Sequence, residues 1–335
     1  MRAAAFLLAA AAFGQDDGHW VSEQGGTLEL AAGGTRLSFA YAGVRDGAMD
    51  RVSRIPGVAV LDLSRAHITD AGMERLRDVA GVRELNLFFA EQITDISMAH
   101  LRGWSRLESL NVHGADITDT GLAHIAALPS LQTLDVGMTL ITDVGLNHLR
   151  KLTALREVAI GGNKVTGIGL RFIQSLPELR RLSLSGEQKR NSGTWSASIT
   201  DFDMDTVASV ASLESLDLGG TGVTALGLAK LEPLRNLREI DVSRTRVTGA
   251  GLGAFTKLER IRASRSRFDD AGVAAIAALP LRSLDLGGTK ITDAALDALA
   301  GHRSLRILHI DGGAVTAGAV AQFRSRTPAC RVEFE

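Results

Sequence analysis

A stretch of about 24 residues recurs along most of this chain, and that repetition limits the folds open to it. One copy spans residues 131–154 and reads LQTLDVGMTLITDVGLNHLRKLTA. Leu134 and Val136 alternate with polar residues in the period of a strand. Leucines then follow at the three-residue spacing of a helix with one buried side: Leu146, Leu149 and Leu152. A segment this short cannot bury its apolar face alone, so we expect the copies to stack on one another.

The turn between strand and helix carries a helix start signal. Thr142 is placed to cap the first turn, and Asp143 suits the positive N-terminal end of a helix. Eight residues after the Ile or Val of each turn the residue is apolar, from Val52 in the first copy to Phe323 in the last. Twelve copies open in succession, at Leu37, Val58, Val82, Leu107, Leu131, Leu155, Leu179, Leu213, Leu237, Leu258, Leu281 and Leu305.

The run L-x-x-L-x-L-x-x-T-x-I-T-D-x-G-L resembles a leucine-rich repeat. Its ITDxGL ending is similar to the repeats of bacterial arrays and of the repeat domains of F-box proteins. The resemblance covers residues 34–328. It implies an α/β fold, a right-handed solenoid of about twelve repeats, with a curved parallel sheet on the concave side and short helices on the convex side. The concave face is the usual binding surface of such arrays.

The segments outside the array have their own signals. Arg2 precedes an apolar stretch and small residues, the order found in a signal peptide, although a frayed Ala-rich helix is the alternative. Trp20 is expected to plug the first end of the array. No later segment is long and apolar enough to span a membrane. We predict a signal peptide at 1–14, an N-terminal cap at 15–33, the array at 34–328 and a C-terminal end at 329–335.

Composition and motifs favour a binding protein over an enzyme. A formal net charge of −1 argues against a general nucleic-acid surface. Cys330 is the only cysteine, which excludes an internal disulfide, and it is expected to be a small buried residue. His124 and His148 share one helical phase, but no cysteine or placed acid completes a metal site. We therefore expect no catalytic residues, no metal and no cofactor.

One insertion breaks the rhythm of the repeats. Leu179 and Leu213 are 34 residues apart instead of 24. The excess, residues 186–197, is polar, rich in Gly and Ser, and contains Trp195. It follows a strand, so we expect it to project from the edge where strands lead into helices. Whether it takes part in binding stays open.

A polar stripe is predicted across the exposed face of the sheet. Neighbouring positions would be about 4.8 Å apart. The favoured interpretation is a solvated face, because exposed carboxylates usually have no special role. The alternative is a surface for a basic or hydrogen-bonding ligand. The stripe comprises Ser38, Asp62, Asn86, Asn111, Asp135, Ala159, Ser183, Asp217, Asp241, Arg262, Asp285 and His309.

Two patches stand out just beyond the stripe. The aromatic patch consists of Tyr41, Phe88, Phe89, His113 and Met138, with Arg65 and Asn86 nearby. Aromatic and arginine side chains are the usual anchors of binding hot spots. Alternatively, one of the two phenylalanines folds back to fill a turn that has one extra residue.

The arginine patch consists of Arg244, Arg246, Arg260, Arg262, Arg265 and Arg267, and it ends at Phe268. Guanidinium groups could receive an acidic protein, a glycan carboxylate or a phosphate. The alternative is a solvated face paired with Asp241, Asp269 and Asp270.

These observations predict a secreted or periplasmic protein-interaction module that binds through its concave face. The alternative is a glycan- or cell-envelope-binding protein. The partner would be a protein, and neither nucleic acid nor a second copy of the chain is expected to bind. The candidate partner-binding residues are Tyr41, Arg65, Asn86, Phe88, Phe89, His113, Met138, Trp195, Arg244, Arg260, Arg262 and Arg265.

Overall fold

The computed structural model describes residues 15–31, 33–79, 81–186, 199–312 and 314–334. The predicted signal peptide, 1–14, lies outside the described residues, and so do Trp195 and the rest of the predicted insertion beyond Gly186. The described chain divides into two compact units, with the boundary after Asn163. Each unit is built from the same repeat.

In the first unit a strand, a turn and a short helix follow one another in each repeat. The strands are β1 (Thr27–Ala31), β2 (Gly34–Ser38), β3 (Val58–Asp62), β4 (Glu84–Asn86), β5 (Ser109–Asn111), β6 (Thr133–Asp135) and β7 (Glu157–Ala159). β1 is antiparallel to β2, and each strand from β2 to β7 is parallel to the next. The helices are α1 (Gln15–Glu23), α2 (Met49–Val52), α3 (Asp70–Leu76), α4 (Asp95–His100), α5 (Asp119–Ile125) and α6 (Asp143–Leu146).

The second unit continues the pattern, except that a 3-10 helix, Ala250–Ala254, replaces the α-helix in the repeat that begins at Leu237. Its strands are β8 (Arg181–Ser183), β9 (Ser215–Asp217), β10 (Glu239–Asp241), β11 (Arg260–Arg262), β12 (Ser283–Asp285), β13 (Ile307–Ile310) and β14 (Arg331–Phe334), each parallel to the next. Its helices are α7 (Gly167–Leu170), α8 (Met204–Ala208), α9 (Ala225–Lys230), α10 (Asp270–Ile276), α11 (Asp293–Leu299) and α12 (Ala317–Arg326). β14 lies in the segment predicted only as a C-terminal end, so that segment adds a strand that we had not predicted.

The core of each unit lies between its strands and its helices. Strand residues such as Leu110 and Leu134 are opposite one another in register and buried. The apolar residues predicted at one phase of the helical side are all buried, at most 4% exposed: Val52, Leu76, Leu101, Ile125, Leu149, Ile173, Val207, Leu231, Phe255, Ile276, Leu299 and Phe323. Strands β2 to β13 match the twelve predicted repeats one to one. The predicted α/β repeat architecture is therefore confirmed.

In seven places an Asp of one turn is hydrogen-bonded to the Thr of the next turn and so links consecutive repeats. The Thr142 hydroxyl accepts a hydrogen bond from the Val144 N–H at 3.2 Å, which confirms the predicted helix cap. The carboxylate of Asp119, one repeat earlier, accepts from the Thr142 N–H and hydroxyl. The same link joins Asp46 to Thr69, Asp70 to Thr94, Asp95 to Thr118, Asp201 to Thr224, Asp270 to Thr292 and Asp293 to Thr316. The sequence alone predicts for this Asp only a role in its own helix.

This link also explains the glycine of the T-D-x-G motif. A Cβ added at Gly145 would lie 2.2 Å from Asp119 Oδ1, closer than real contacts allow. The same conflict with the acid of the preceding repeat occurs at Gly72, Gly121 and Gly227. The glycine is thus the space in which the linking carboxylate sits.

The N-terminal segment covers the first end of the array with more than one residue. Val21 in α1 is fully buried, whereas Trp20 is only half-buried. The Trp20 ring meets Phe39 edge-on at 6.0 Å, and the Arg51 guanidinium lies 4.8 Å from the Trp20 ring. The expectation that Trp20 would be the apolar plug was therefore wrong in part, because Val21 is the residue that is fully inserted.

Candidate binding surface

In ten repeats the turn after the strand bends through one residue in the left-handed backbone region. Glycine occupies this position at Gly114, Gly162, Gly220 and Gly288. In six other repeats a larger residue does so, with φ between 50° and 60°: Tyr41, Arg65, Phe89, Met138, Arg244 and Arg265. We call these six side chains the left-handed row. They are the described non-glycine residues with positive φ, and all six belong to the predicted candidate residues.

Hydrogen bonding between repeats imposes this conformation. The Phe89 N–H donates to the His113 carbonyl at 2.7 Å, and the Arg265 N–H donates to the Gly287 carbonyl at 2.7 Å. The left-handed region costs a residue with a Cβ about 1–2 kcal/mol, and glycine is the default there. Four repeats use glycine and six do not, so the larger side chains are displayed at an energetic cost. Such backbone outliers concentrate at functional sites.

The aromatic patch is a stack of rings on the surface. Phe88 and Phe89 meet edge to face at 4.6 Å, and Phe88 stacks on His113 at 5.2 Å. The Phe89 ring extends over Gly114, where a Cβ would come within 2.8 Å of it. Both phenylalanines remain half-exposed, and the turn is filled instead by Ala90. Neither phenylalanine is therefore fully buried in the turn.

Arg65 lies among the rings of this patch. Its guanidinium carbon is 4.9 Å from the centre of the Phe89 ring, 5.5 Å from Tyr41 and 5.8 Å from Phe88. Tyr41 is 72% exposed, and Arg65 is exposed as well. The structure thus brings Tyr41, Arg65, Phe88, Phe89 and His113 together, as predicted.

The remaining two members of this group have other positions. The Asn86 Oδ1 accepts a hydrogen bond from the Phe88 N–H at 3.1 Å, so Asn86 supports the turn. Met138 is half-buried in the left-handed row, and the repeat of Gly114 separates it from Phe89. Of these two residues, Met138 is the one that adds to the exposed surface beside the aromatic patch.

The arginine patch divides into two sets. Arg260 is ion-paired with Glu239 on the neighbouring strand, and Arg262 lies 4.0 Å from Asp241. Arg244 and Arg265 belong to the left-handed row, and the stem of Arg265 extends over Gly288. The exposed Arg246 and Arg267 complete the patch.

Three neighbours predicted for this patch have structural roles instead. Phe268 is fully buried over Gly249 and is not a surface residue. The Asp269 Oδ1 accepts from the Gly272 N–H at 2.9 Å, and Asp270 holds Thr292. The alternative interpretation, in which the arginines pair with Asp241, Asp269 and Asp270, therefore holds for Arg262 and Asp241, whereas Asp269 and Asp270 have other partners.

The polar stripe holds the bends at the strand ends. The Asp135 Oδ1 accepts from the Gly137 N–H at 2.8 Å, two residues further on. The same bond is made by Asp62, Asn86, Asn111, Asp217, Asp241 and Asp285. Burial raises the pKa of Asp241, against hydrogen bonds from Ser243 that lower it. These bonds support the interpretation of the stripe as a structural sheet face and leave the binding surface to the left-handed row and its neighbours.

Comparison with known proteins agrees with this architecture. A sequence model described as "Leucine Rich repeat" matches residues 59–76 and 279–300. No sequence of a curated protein matches the chain. An internalin from Listeria monocytogenes has a similar structure, with a TM-score of 0.57, 18% identity, and coverage of 89% of this chain and 86% of the internalin. A leucine-rich-repeat protein of Leptospira interrogans gives a TM-score of 0.52 at 16% identity, covering 85% of this chain and 74% of that one.

A third similar structure is TLR13 in its complex with ssRNA13. It gives a TM-score of 0.53 at 14% identity, over 86% of this chain and 47% of that one. At such identities the likeness concerns the fold. Together with the recurring repeat, it identifies the chain as a leucine-rich-repeat protein. Among the described residues no helix has the length and apolar character needed to cross a membrane.

Proposed function

We propose that this protein is an exported interaction module that binds a protein partner through the exposed face of its sheet and the left-handed row beside it. The observation that carries the proposal is the contrast within one structural position. Four repeats place glycine there, and six place a large aromatic, arginine or methionine side chain in the same strained backbone. A purely structural turn would be served better by glycine.

The contacts of the aromatic patch favour a protein as partner. Its half-exposed rings offer apolar area, and Arg65 adds a charged group at the same place. Aromatic and arginine side chains dominate binding energy at protein interfaces. Each backbone position is held by hydrogen bonds to the next repeat, so little ordering entropy would be lost on binding.

We propose export because residues 1–14 have the sequence pattern of a signal peptide. We also propose that the protein binds its partner as a monomer. The Arg244 and Arg265 side chains would select partners by charge, whereas the aromatic patch would supply most of the affinity.

A pull-down from the native cell envelope tests the proposal. The triple variant Tyr41→Ala, Phe88→Ala, Phe89→Ala should lose the partner that the unaltered protein captures, with unchanged far-UV circular dichroism. A matched control is Phe202→Ala, since Phe202 is 88% exposed at the start of a helical segment and outside the patch. The control should retain the partner. Capture by the triple variant at the level of the unaltered protein would overturn the proposal.

A further inference from the structure

We propose that Arg65 is a carboxylate-binding residue, which receives an acidic side chain of a protein partner. This inference rests on the proposed function and specifies the chemistry of the aromatic patch. A guanidinium group is planar and carries five N–H donors in a fork that matches the two oxygens of a carboxylate.

The surroundings of Arg65 fix its guanidinium without using its donors. Rings of Tyr41, Phe88 and Phe89 lie 4.9–5.8 Å from the guanidinium carbon, distances at which an aromatic ring attracts a cation. Among the described residues no carboxylate or hydrogen-bond acceptor engages the Arg65 side chain. The Arg65 guanidinium is exposed and is held in place by the rings, and its N–H groups remain available as donors. It is therefore preorganised for an external acceptor.

Other arginines along the strands are used differently. The Arg180 Nη1 lies 2.6 Å from Glu214, and the Arg238 Nη1 lies 2.6 Å from Glu259. Asp62 lies at the end of the strand that leads to Arg65. Its Oδ1 accepts hydrogen bonds from the N–H and the hydroxyl of Ser64, at 3.0 and 2.6 Å. Arg180 and Arg238 thus each have a glutamate partner, whereas Asp62, the acid nearest to Arg65 in sequence, is hydrogen-bonded to Ser64.

The composition of the patch favours a carboxylate over a phosphate chain. Binding of polyphosphates depends on several cations that act together. Around Arg65 the contacts within the described part of the chain are with the rings of Tyr41, Phe88 and Phe89, and no cation is among them. One cation within an apolar surface fits one carboxylate flanked by apolar side chains, as in an acidic residue of a protein segment.

The test uses the full chain labelled with 15N and two capped peptides, Ac-Leu-Glu-Glu-Phe-NH2 and Ac-Leu-Gln-Gln-Phe-NH2. The arginine Nε–H signals are followed by NMR, and the Arg65 signal is identified by its absence in Arg65→Lys. The glutamate peptide should shift the Arg65 signal, and the glutamine peptide should not. Arg65→Lys keeps the charge but loses the fork, so it should weaken binding of the glutamate peptide about tenfold, as measured for both proteins by isothermal titration calorimetry.

The control variant is Arg238→Lys, whose arginine is already paired, and it should bind the peptide as the unaltered chain does. Inorganic phosphate forms a separate arm, and a shift of the Arg65 signal by phosphate at lower concentration than by the glutamate peptide would overturn the inference. Three further outcomes would overturn the inference. They are equal binding of the two peptides, full affinity for the glutamate peptide in Arg65→Lys, and no shift of the Arg65 signal by the glutamate peptide at about 10 mM, the weakest affinity worth resolving.

The outcome is separable from that of the proposed function. If the pull-down partner is lost by the triple aromatic variant but retained by Arg65→Lys and by Arg65→Gly, the interaction module stands and the carboxylate role fails. If the glutamate peptide binds but no partner depends on the rings, the proposed function fails instead.

Discussion

Asp119 accepts hydrogen bonds from both the backbone N–H and the hydroxyl of Thr142, one repeat further along the chain, at 2.8 and 2.7 Å. The Thr142 hydroxyl in turn accepts from the Val144 N–H and caps its own helix. One side chain thus joins two repeats, and the next side chain starts the second helix. Repetition of this link gives Asp and Thr in the turn a structural reason that a single repeat does not show.

Removal of the linking carboxylate should destabilise the fold. In Asp119→Ala the N–H and hydroxyl of Thr142 lose their acceptor, which we expect to lower the free energy of unfolding by about 1–3 kcal/mol. Urea unfolding followed by circular dichroism measures the change. Asp116→Ala is the matched control, because Asp116 is exposed on the same turn, and it should stay within about 0.5 kcal/mol of the unaltered protein. An equal cost for both variants would contradict the link.

The glycine that accommodates the carboxylate should be coupled to it. Gly145→Ala places a Cβ against Asp119 Oδ1, and we expect a loss of about 2 kcal/mol or more. In the Asp119→Ala background the same substitution should cost less, because the carboxylate atoms nearest to the added Cβ are gone and only the Cα of residue 119, at 3.1 Å, remains close. A double-mutant cycle measures this coupling. Additive effects of the two substitutions would show that Gly145 is required for another reason.

The period of the chain predicted its architecture because every copy must bury the same face. Leu134 and Leu149 are informative by their spacing alone, and both are buried. The role of Asp119 was not predictable in this way, since its partner is 23 residues away and nothing local to the acid points to it. The glycine at 145 was likewise unexplained until the neighbouring carboxylate was placed beside it.

The residues of the aromatic patch were predicted, but their backbone strain was not. Phe89 has no local signal for a left-handed backbone, because that conformation normally selects glycine. Alignment of the repeats would have revealed it, since Gly114, Gly220 and Gly288 occupy the same position. Phe268 was predicted to end the exposed arginine patch, but it is buried. It occupies the turn position at which other repeats have Ile or Val, and that position points to burial.

Substitutions at the left-handed turn position should change stability in opposite directions, depending on whether glycine or a larger residue occupies it. Gly220, with φ 73°, should lose about 1 kcal/mol of unfolding free energy on replacement by Ala. Arg265→Gly, in the same backbone conformation, should raise the free energy of unfolding by up to about 1 kcal/mol, because strain is relieved at an exposed site. Thermal unfolding of both variants provides the measurement. A stabilised Gly220→Ala variant would refute the assignment of strain to this position.

Acid sensitivity should come from the linking carboxylates. Burial disfavours the ionised form of Asp70, but hydrogen bonds from Ser97 and Thr94 outweigh it and hold the pKa of Asp70 below its usual value. A carboxyl whose pKa is lower in the folded state contributes stability above its unfolded pKa, about 3.9, and loses it as the pH falls through the folded pKa. The unfolding free energy should therefore fall on acidification below about pH 4, and Asp70→Asn should be less stable at pH 7 with a shallower acid loss. Asp78→Asn is the control, because the Asp78 side chain is 90% exposed, and its pH profile should follow that of the unaltered protein. Denaturant midpoints from pH 7 to pH 2 distinguish the outcomes, and an Asp70→Asn profile parallel to that of the unaltered protein would refute the role of this carboxylate.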